Sequence, residues 1–467
     1  MAEPLWTSDE IAAATGAAAP VAAFAVTGVS IDTRTLEPGD LFVALAGERD
    51  GHEFAPAALE RGAAGVLVSK PTAGSALLVP DTLKALERLG DVARRRAPQA
   101  RRGAVTGSVG KTSVTQAIRA GLGRAGRAHG SVKSYNNHIG VPLTLARMPR
   151  ETARAIFEIG MNHAGEIRPL TRMVQPHAVL VTTVAQAHME AFADGEAGVA
   201  RAKAEIFEGV SSGGQAILNA DNRWFDYLAG QARRRRLEVV PFGSSDACAA
   251  KLTRFALTPG AGARVEAQFA GEAIAFPLRQ TGAHWGLMSL AALLMMRALG
   301  VPLEDGLAAL AEFAPLEGRG AERKIRLAGG GAFTLIDDAY NANPASTAAA
   351  LQTLGLRFPP RRRIAVLTDM LELGPDSAKY HAGLAADVEQ AAVDLVFCAG
   401  PMMKSLWEAL PPTRQGAYAA SAALLAPLVT QAVEPGDLVL VKGSKASNAK
   451  ALHDALAALD SHPGEAA

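Results

Sequence analysis

The stretch VTGSVGKT at residues 105–112 holds a glycine-rich turn that ends in Lys-Thr, after an apolar run and before a helical pattern. That arrangement grips a nucleotide triphosphate, because glycines let backbone N–H groups approach phosphate oxygens at the positive end of a helix. Gly107, Ser108, Val109 and Gly110 would form the cradle, with Ser113 one step into the helix. Lys111 would reach the β- and γ-phosphates, and Thr112 would offer its hydroxyl to Mg2+. Val105 stands where the eight-residue pattern has its first glycine.

Other polar residues sit where they could complete such a site. Glu158 in FEIG and His188 in AQAH offer an oxygen and a nitrogen at two strand ends, and Asp221 lies at a third. Taken alone, Glu158 is an ordinary strand-end carboxylate and His188 a polar residue near a helix start. Beside a phosphate loop they become candidate ligands for Mg2+, which takes one or two protein ligands and keeps its waters. Lys203 in RAKAEIF (201–207) has two readings. It is a surface lysine snorkelling over Ile206 and Phe207, or a lysine drawn into the site and chemically changed. In IDDAYNANPAS (336–346), Asn and Pro explain a turn, but not why a strand should end in Asp337-Asp338. Ionised carboxylates are pure acceptors and suit the hydroxyls of a ribose.

These residues need three supporting units. A chain of 467 residues exceeds one ordinary core. Residues 1–80 open with a TSDE capping box and continue as a small α/β module of short strands, GVSIDTR, DLFVALAG and GVLVSK. Residues 81–315 alternate strands and helices, as in a mostly parallel sheet whose ligands sit beyond the strands' carboxyl ends. A helix at 81–96 leads into this unit, and HWGLMSLAALLMMRALG (284–300) closes it. Residues 316–467 form a second doubly wound, Rossmann-like unit that lacks a GxGxxG fingerprint.

Composition limits the function classes. Hydrophobic residues make up 49% and charged residues 20%, as in a globular protein. The net charge of +1 gives no general attraction to nucleic acid or anionic membrane. The runs RRRAPQARR (94–102) and RRRR (233–236) read as solvated faces. Cys248 and Cys398 have neither disulfide-framework nor zinc spacing. The start MAEPLWTSDEI does not read as a signal peptide, and LMSLAALLMM (287–296) is too short to span a bilayer. A cytoplasmic protein with no membrane insertion is expected.

The ordered set TGSxGKT, NNHIGVPL (136–143), EIGMNHAGEI (158–167), AQAHMEAF (185–192), KAEIF (203–207), GRG (318–320), IDDAYNANPAS and DMLELG (369–374) resembles the Mur ligase family. The resemblance is collinear from about Ser30 to Lys445. Within the family, DDxYNANPxS with DMLELG resembles the branch that joins D-Ala-D-Ala to UDP-MurNAc-tripeptide. It implies an N-terminal UDP-sugar domain, a central ATPase and a closing C-terminal domain, with a monomer favoured. It also implies that ATP activates a carboxylate as an acyl phosphate, with Lys111 and Mg2+ neutralising charge. By position, Thr112, Glu158 and His188 would hold metal, and Lys203 matches the lysine that the family carboxylates at N6. Arg319 and Asp338 match nucleotide-contacting positions, Asn137 a residue near the phosphates, and Ser30 and Arg34 the uridine-binding region. His381 also fits the pattern. Ala104 and Thr368 replace usual glycines, and Met288 replaces an Asn that contacts adenine. Two other readings stand beside this one: a sister ligase adding a single amino acid, and a non-enzymatic binding protein that ATP closes.

Overall fold

Thr7 opens the first helix, Ser8–Thr15, as the TSDE pattern predicts. Its Oγ1 accepts from Glu10 N at 3.3 Å, while Glu10 Oε2 accepts from Thr7 N at 3.0 Å. Thr7→Ala should cost about 0.5–2 kcal/mol locally, measured as faster amide exchange in Ser8–Thr15. The computed structural model describes residues 3–18, 22–258, 262–357 and 361–461.

The N-terminal strands Gly28–Ser30, Asp40–Val43, Gly65–Val68 and Ala76–Leu78 form a parallel four-stranded sheet. Its core gathers Trp6, Ile11, Leu41 and Leu67. The helix Thr82–Arg96 buries Leu86, Leu89 and Ala93 in that same cluster, where Leu143 and Ala146 also pack. Apolar burial therefore ties the N-terminal sheet to the helix Gly140–Ala146, and Trp6 Nε1 donates to Ala146 O at 2.8 Å.

The arginine run at 94–102 departs from the solvated-face expectation. Arg96 stacks 3.5 Å from the Trp6 ring centroid and donates to Leu5 O and Met148 O. Arg102 is buried and donates to Val174 O and Ala100 O; burial pushes its pKa down to about 10. Backbone carbonyls supply the acceptors that make a buried guanidinium tolerable. The 233–236 run is exposed, as expected.

The central sheet has nine strands. Arg101–Thr106 lies between Ala178–Val181 and Arg154–Glu158, and Ala128–Gly130 forms the edge beyond the latter, all parallel. Gln215–Asn219 and Glu238–Gly243 extend it in parallel. Ala250–Thr258, Gly262–Phe269 and Glu272–Leu278 then add an antiparallel ribbon at the edge. The helix Trp285–Ala298 packs beneath the sheet with nearly every side chain buried. Among the described residues, no helix is long and apolar enough to cross a membrane. The C-terminal sheet runs Ala321–Arg326, Ala332–Asp338, Leu438–Lys442, Arg363–Thr368, Leu395–Ala399, Gln415–Ala419, parallel except for the first pairing. Both cysteines are free.

Candidate active site

The phosphate loop leaves the strand Arg101–Thr106 and enters the helix Lys111–Arg124. Gly107 has φ +150° and Gly110 φ +82°. A β-carbon on Gly107 would collide with the Thr182 hydroxyl, which donates to Val109 O at 2.6 Å. Ser108 Oγ donates to Ala185 O and accepts from Ala185 N, both at 3.0 Å. Val109 and Ser108 thus pin the loop to the 182–185 segment, and Gly107 is there because nothing larger fits. Ser113 is half-buried on the helix. Lys111 Nζ donates to Gly107 O at 2.8 Å. Burial lowers the lysine's pKa, the Glu158 carboxylate opposes this, and Arg319 adds to it.

Glu158 ends the neighbouring strand and is fully buried. Its Oε1 accepts from Ser134 Oγ at 3.0 Å and from Asn136 Nδ2 at 2.6 Å. Its Oε2 is buried with no hydrogen-bond partner among the described residues. A buried carboxylate oxygen left bare is costly unless a cation meets it. Thr112 Oγ1, 3.3 Å from Ser134 Oγ, joins the same cluster. Among the described residues no three His, Cys, Asp or Glu side chains form a metal cage. A bare oxygen plus a hydroxyl fits an ion carried on phosphates, such as Mg2+, better than a closed protein site.

The surface reading of Lys203 is overturned. Lys203 is only 2% exposed, and no side chain or carbonyl among the described residues accepts from its amine. Burial, then the Lys111 cation, hold its pKa well below the ordinary lysine range. The helix Glu196–Ala204 points it inward, while Ile206 and Phe207 fill the core beside it.

The C-terminal unit contributes at three points. Arg319 NH2 donates to Thr112 Oγ1 at 3.1 Å, and the guanidinium lies 4.0 Å from the Tyr340 ring centroid. Asp337 holds the turn that presents Arg319, accepting from Gly318 N at 2.7 Å. Asp338 accepts from the buried Lys442 at 2.7 Å; burial raises its pKa against that cation. His188, at φ +57°, places Nδ1 2.6 Å from Glu372 Oε2.

Other expected residues lie elsewhere or are engaged locally. Asn137 is engaged in the turn before the helix Gly140–Ala146, its Oδ1 accepting from Ile139 N and Gly140 N, and its neighbour Asn136 is the one that reaches Glu158. Ser30 is buried in a turn with Asp32, and Arg34 is exposed and paired with Asp32 at 2.7 Å. Both belong to the N-terminal unit, where Arg34 and then Lys133 help hold the Asp32 pKa at about 2. Asp221 is occupied by Ser244. Met288 is buried under the loop, its sulfur 3.7 Å from the position of a Gly110 β-carbon. Thr368 is accommodated because Gly443 faces it, and its hydroxyl meets Ser447 Oγ at 2.6 Å. Ala104 is buried in the core. Sequence reasoning missed Ser134, Asn136, Thr182, Glu372 and Lys442. Only the Asn-Asn pair and DMLELG carried a signal.

Known proteins resemble this chain over most of its length. Residues 25–97 match the model for "Mur ligase family, catalytic domain", 105–296 the "Mur ligase middle domain", and 323–445 "Mur ligase, glutamate ligase domain". The chain is 35% identical to the UDP-N-acetylmuramoyl-tripeptide--D-alanyl-D-alanine ligase of Escherichia coli, over 90% of this chain and 91% of that one. It is 31% identical to the ligase of the same name from Rickettsia prowazekii, over 89% and 92%. The crystal structure of MurF from Acinetobacter baumannii superposes with a TM-score of 0.84 at 29% identity, covering 98% of this chain and 99% of that one. Matched over about nine-tenths of its length in sequence and over 98% in fold, the chain belongs to the Mur ligase family.

Proposed function

We propose that the chain is an ATP-dependent, ADP-forming ligase that joins D-Ala-D-Ala to UDP-MurNAc-tripeptide, giving UDP-MurNAc-pentapeptide for peptidoglycan synthesis. The observation that carries this reading is the near-full-length likeness to ligases named for that reaction. The terminal carboxylate of the tripeptide attacks the γ-phosphorus of ATP, forming an acyl phosphate and releasing ADP. The D-Ala-D-Ala amine then adds to the acyl carbon, loses its proton, and phosphate leaves.

The chain's residues serve these steps by placing charge. The Gly107–Gly110 backbone orients the phosphates, and Lys111 offsets the repulsion between carboxylate and γ-phosphate. Arg319 brings a second cation from the C-terminal unit to Thr112. Mg2+ would be held by Thr112 and Glu158, with His188 a further ligand, and would supply neutralisation of the transferring phosphoryl group. Lys203 is assigned as N6-carboxylated: its neutral amine adds to carbon dioxide and loses one proton, so a neutral group becomes an anion. The low pKa that burial imposes supports this, because only the neutral amine reacts. Asn137 and Asp338 are assigned to the nucleotide, and Ser30 and Arg34 to the uridine end. The reaction is assigned to the cytoplasm, where substrates carrying UDP and ATP are at hand, and to a monomer, which large closing domains favour.

Mass analysis of the product tests the reading. Addition of one dipeptide to the UDP-MurNAc-tripeptide is expected, and equal addition of a single amino acid would transfer the assignment to the sister ligase.

A further inference from the structure

We propose that Glu372 is a positioning residue for His188, delivered by the C-terminal unit, so that docking of that unit sets which imidazole nitrogen faces the phosphate site. The proposal rests on the ligase reading above for the role of His188, but its geometry is independent of it.

Glu372 stands on a short, rigid finger, residues 369–374. Met370 N donates to His381 Nε2 at 3.0 Å, and His381 Nδ1 meets Ser377 O at 2.7 Å. A carbonyl can only accept, so His381 is a neutral imidazole protonated at Nδ1; its burial lowers its pKa in the same sense. Leu371 N donates to Ser444 Oγ at 3.0 Å, and Asp369 Oδ1 accepts from Met403 N at 2.8 Å. Three anchors from its own unit therefore fix the finger. His381, unexplained by the sequence, is one of them.

The finger meets the central unit at His188 and Glu190. Glu190 N donates to Glu372 O at 3.2 Å, and Gly374, at φ +69°, lies against the Glu190 backbone. Both His188 and Glu372 have left-handed backbones, at φ +57° and +63°. Such conformations are uncommon for non-glycine residues and persist where the surroundings hold them. His188 Nδ1 is buried without an aligned hydrogen bond, and the Glu372 carboxylate lies 2.6 Å from it as an ion-pair contact.

With the ring turned into line, a carboxylate that close accepts a hydrogen bond from Nδ1–H and leaves Nε2 as a bare lone pair, the form that ligates metal. Without Glu372 the imidazole is free to place its proton on either nitrogen and to rotate. The contact thus makes a candidate ligand of the central unit competent only when the C-terminal unit is docked.

The test uses the full chain with 15N-labelled histidine at about pH 8.5. Neither nucleotide nor Mg2+ is added, and His188 is identified by the resonance lost in His188→Gln. The wild type and Glu372→Gln should show a protonated Nδ1 and a pyridine-type Nε2, because the glutamine carbonyl still accepts. Glu372→Ala should show a mixture. In turnover, Glu372→Ala should raise the Mg2+ half-saturation about 10–100-fold, with Glu372→Gln restoring most of it. A wild-type His188 protonated at Nε2, the same tautomer in Glu372→Ala, or an unchanged Mg2+ dependence would each overturn the proposal. Since the spectra need no substrate, the expected tautomers in a chain that forms no product would sink the ligase reading and leave the positioning role standing.

Discussion

Lys203→Ala is expected nearly to abolish ligation while leaving the melting transition close to that of the wild type. The side chain is buried and its amine has no acceptor among the described residues, so truncation removes a desolvated group and breaks no hydrogen bond. A cation beside Lys111 would repel both Mg2+ and Lys111 itself, whereas an N6-carboxylate attracts both. Loss of that anion should lower turnover about 100–1000-fold, the scale on which one preorganised charge-stabilising group acts. Acetate should restore part of the activity by filling the vacated oxygen positions. Lys203→Arg should be as inactive as the alanine variant, because a guanidinium stays charged and cannot react with carbon dioxide. An active Lys203→Arg enzyme would contradict the assignment.

Glu158→Gln probes the other side of the site with no change in shape. Glutamine keeps one oxygen to accept from Ser134 and Asn136, so the cluster around Oε1 should survive. The bare Oε2, however, becomes an NH2 group that carries donors and no negative charge. If that oxygen ligates Mg2+, the half-saturation for the metal should rise and turnover fall about 100–1000-fold, with the fold retained. Glu158→Ala should be worse, since it also strips the acceptor from two buried or half-buried donors. Unchanged Mg2+ dependence in Glu158→Gln would remove Glu158 from the metal site.

How much of this was legible depends on how local each signal is. The phosphate loop and the TSDE cap are written in consecutive residues, and the structure places both as the sequence implies. The strand ends carrying Glu158 and Asp338 were visible because short apolar runs stop at carboxylates. The ribbon at 250–278 was not. Its inward positions include Ala263 and Ala267, too small to stand out from the outward Arg264 and Gln268. Long-range partners were hidden for a different reason. Whether Lys203 snorkels or is buried depends on Lys111 and the surrounding core, far away in sequence. Glu372 meets His188 only because two units pack together, which no local pattern encodes. The arginines at 94–102 show the same limit: Trp6 and backbone carbonyls, not charge density, decide their burial.

The central claim is that phosphate chemistry and amide formation are one coupled reaction. Phosphate release from ATP, measured with UDP-MurNAc-tripeptide in the presence and absence of D-Ala-D-Ala, tests it most directly. The account predicts sustained release only when both substrates are present, with one ADP and one phosphate per pentapeptide formed. Sustained release without D-Ala-D-Ala, or ATP binding with no coupled product, would contradict it; the latter would favour a protein that nucleotide merely closes.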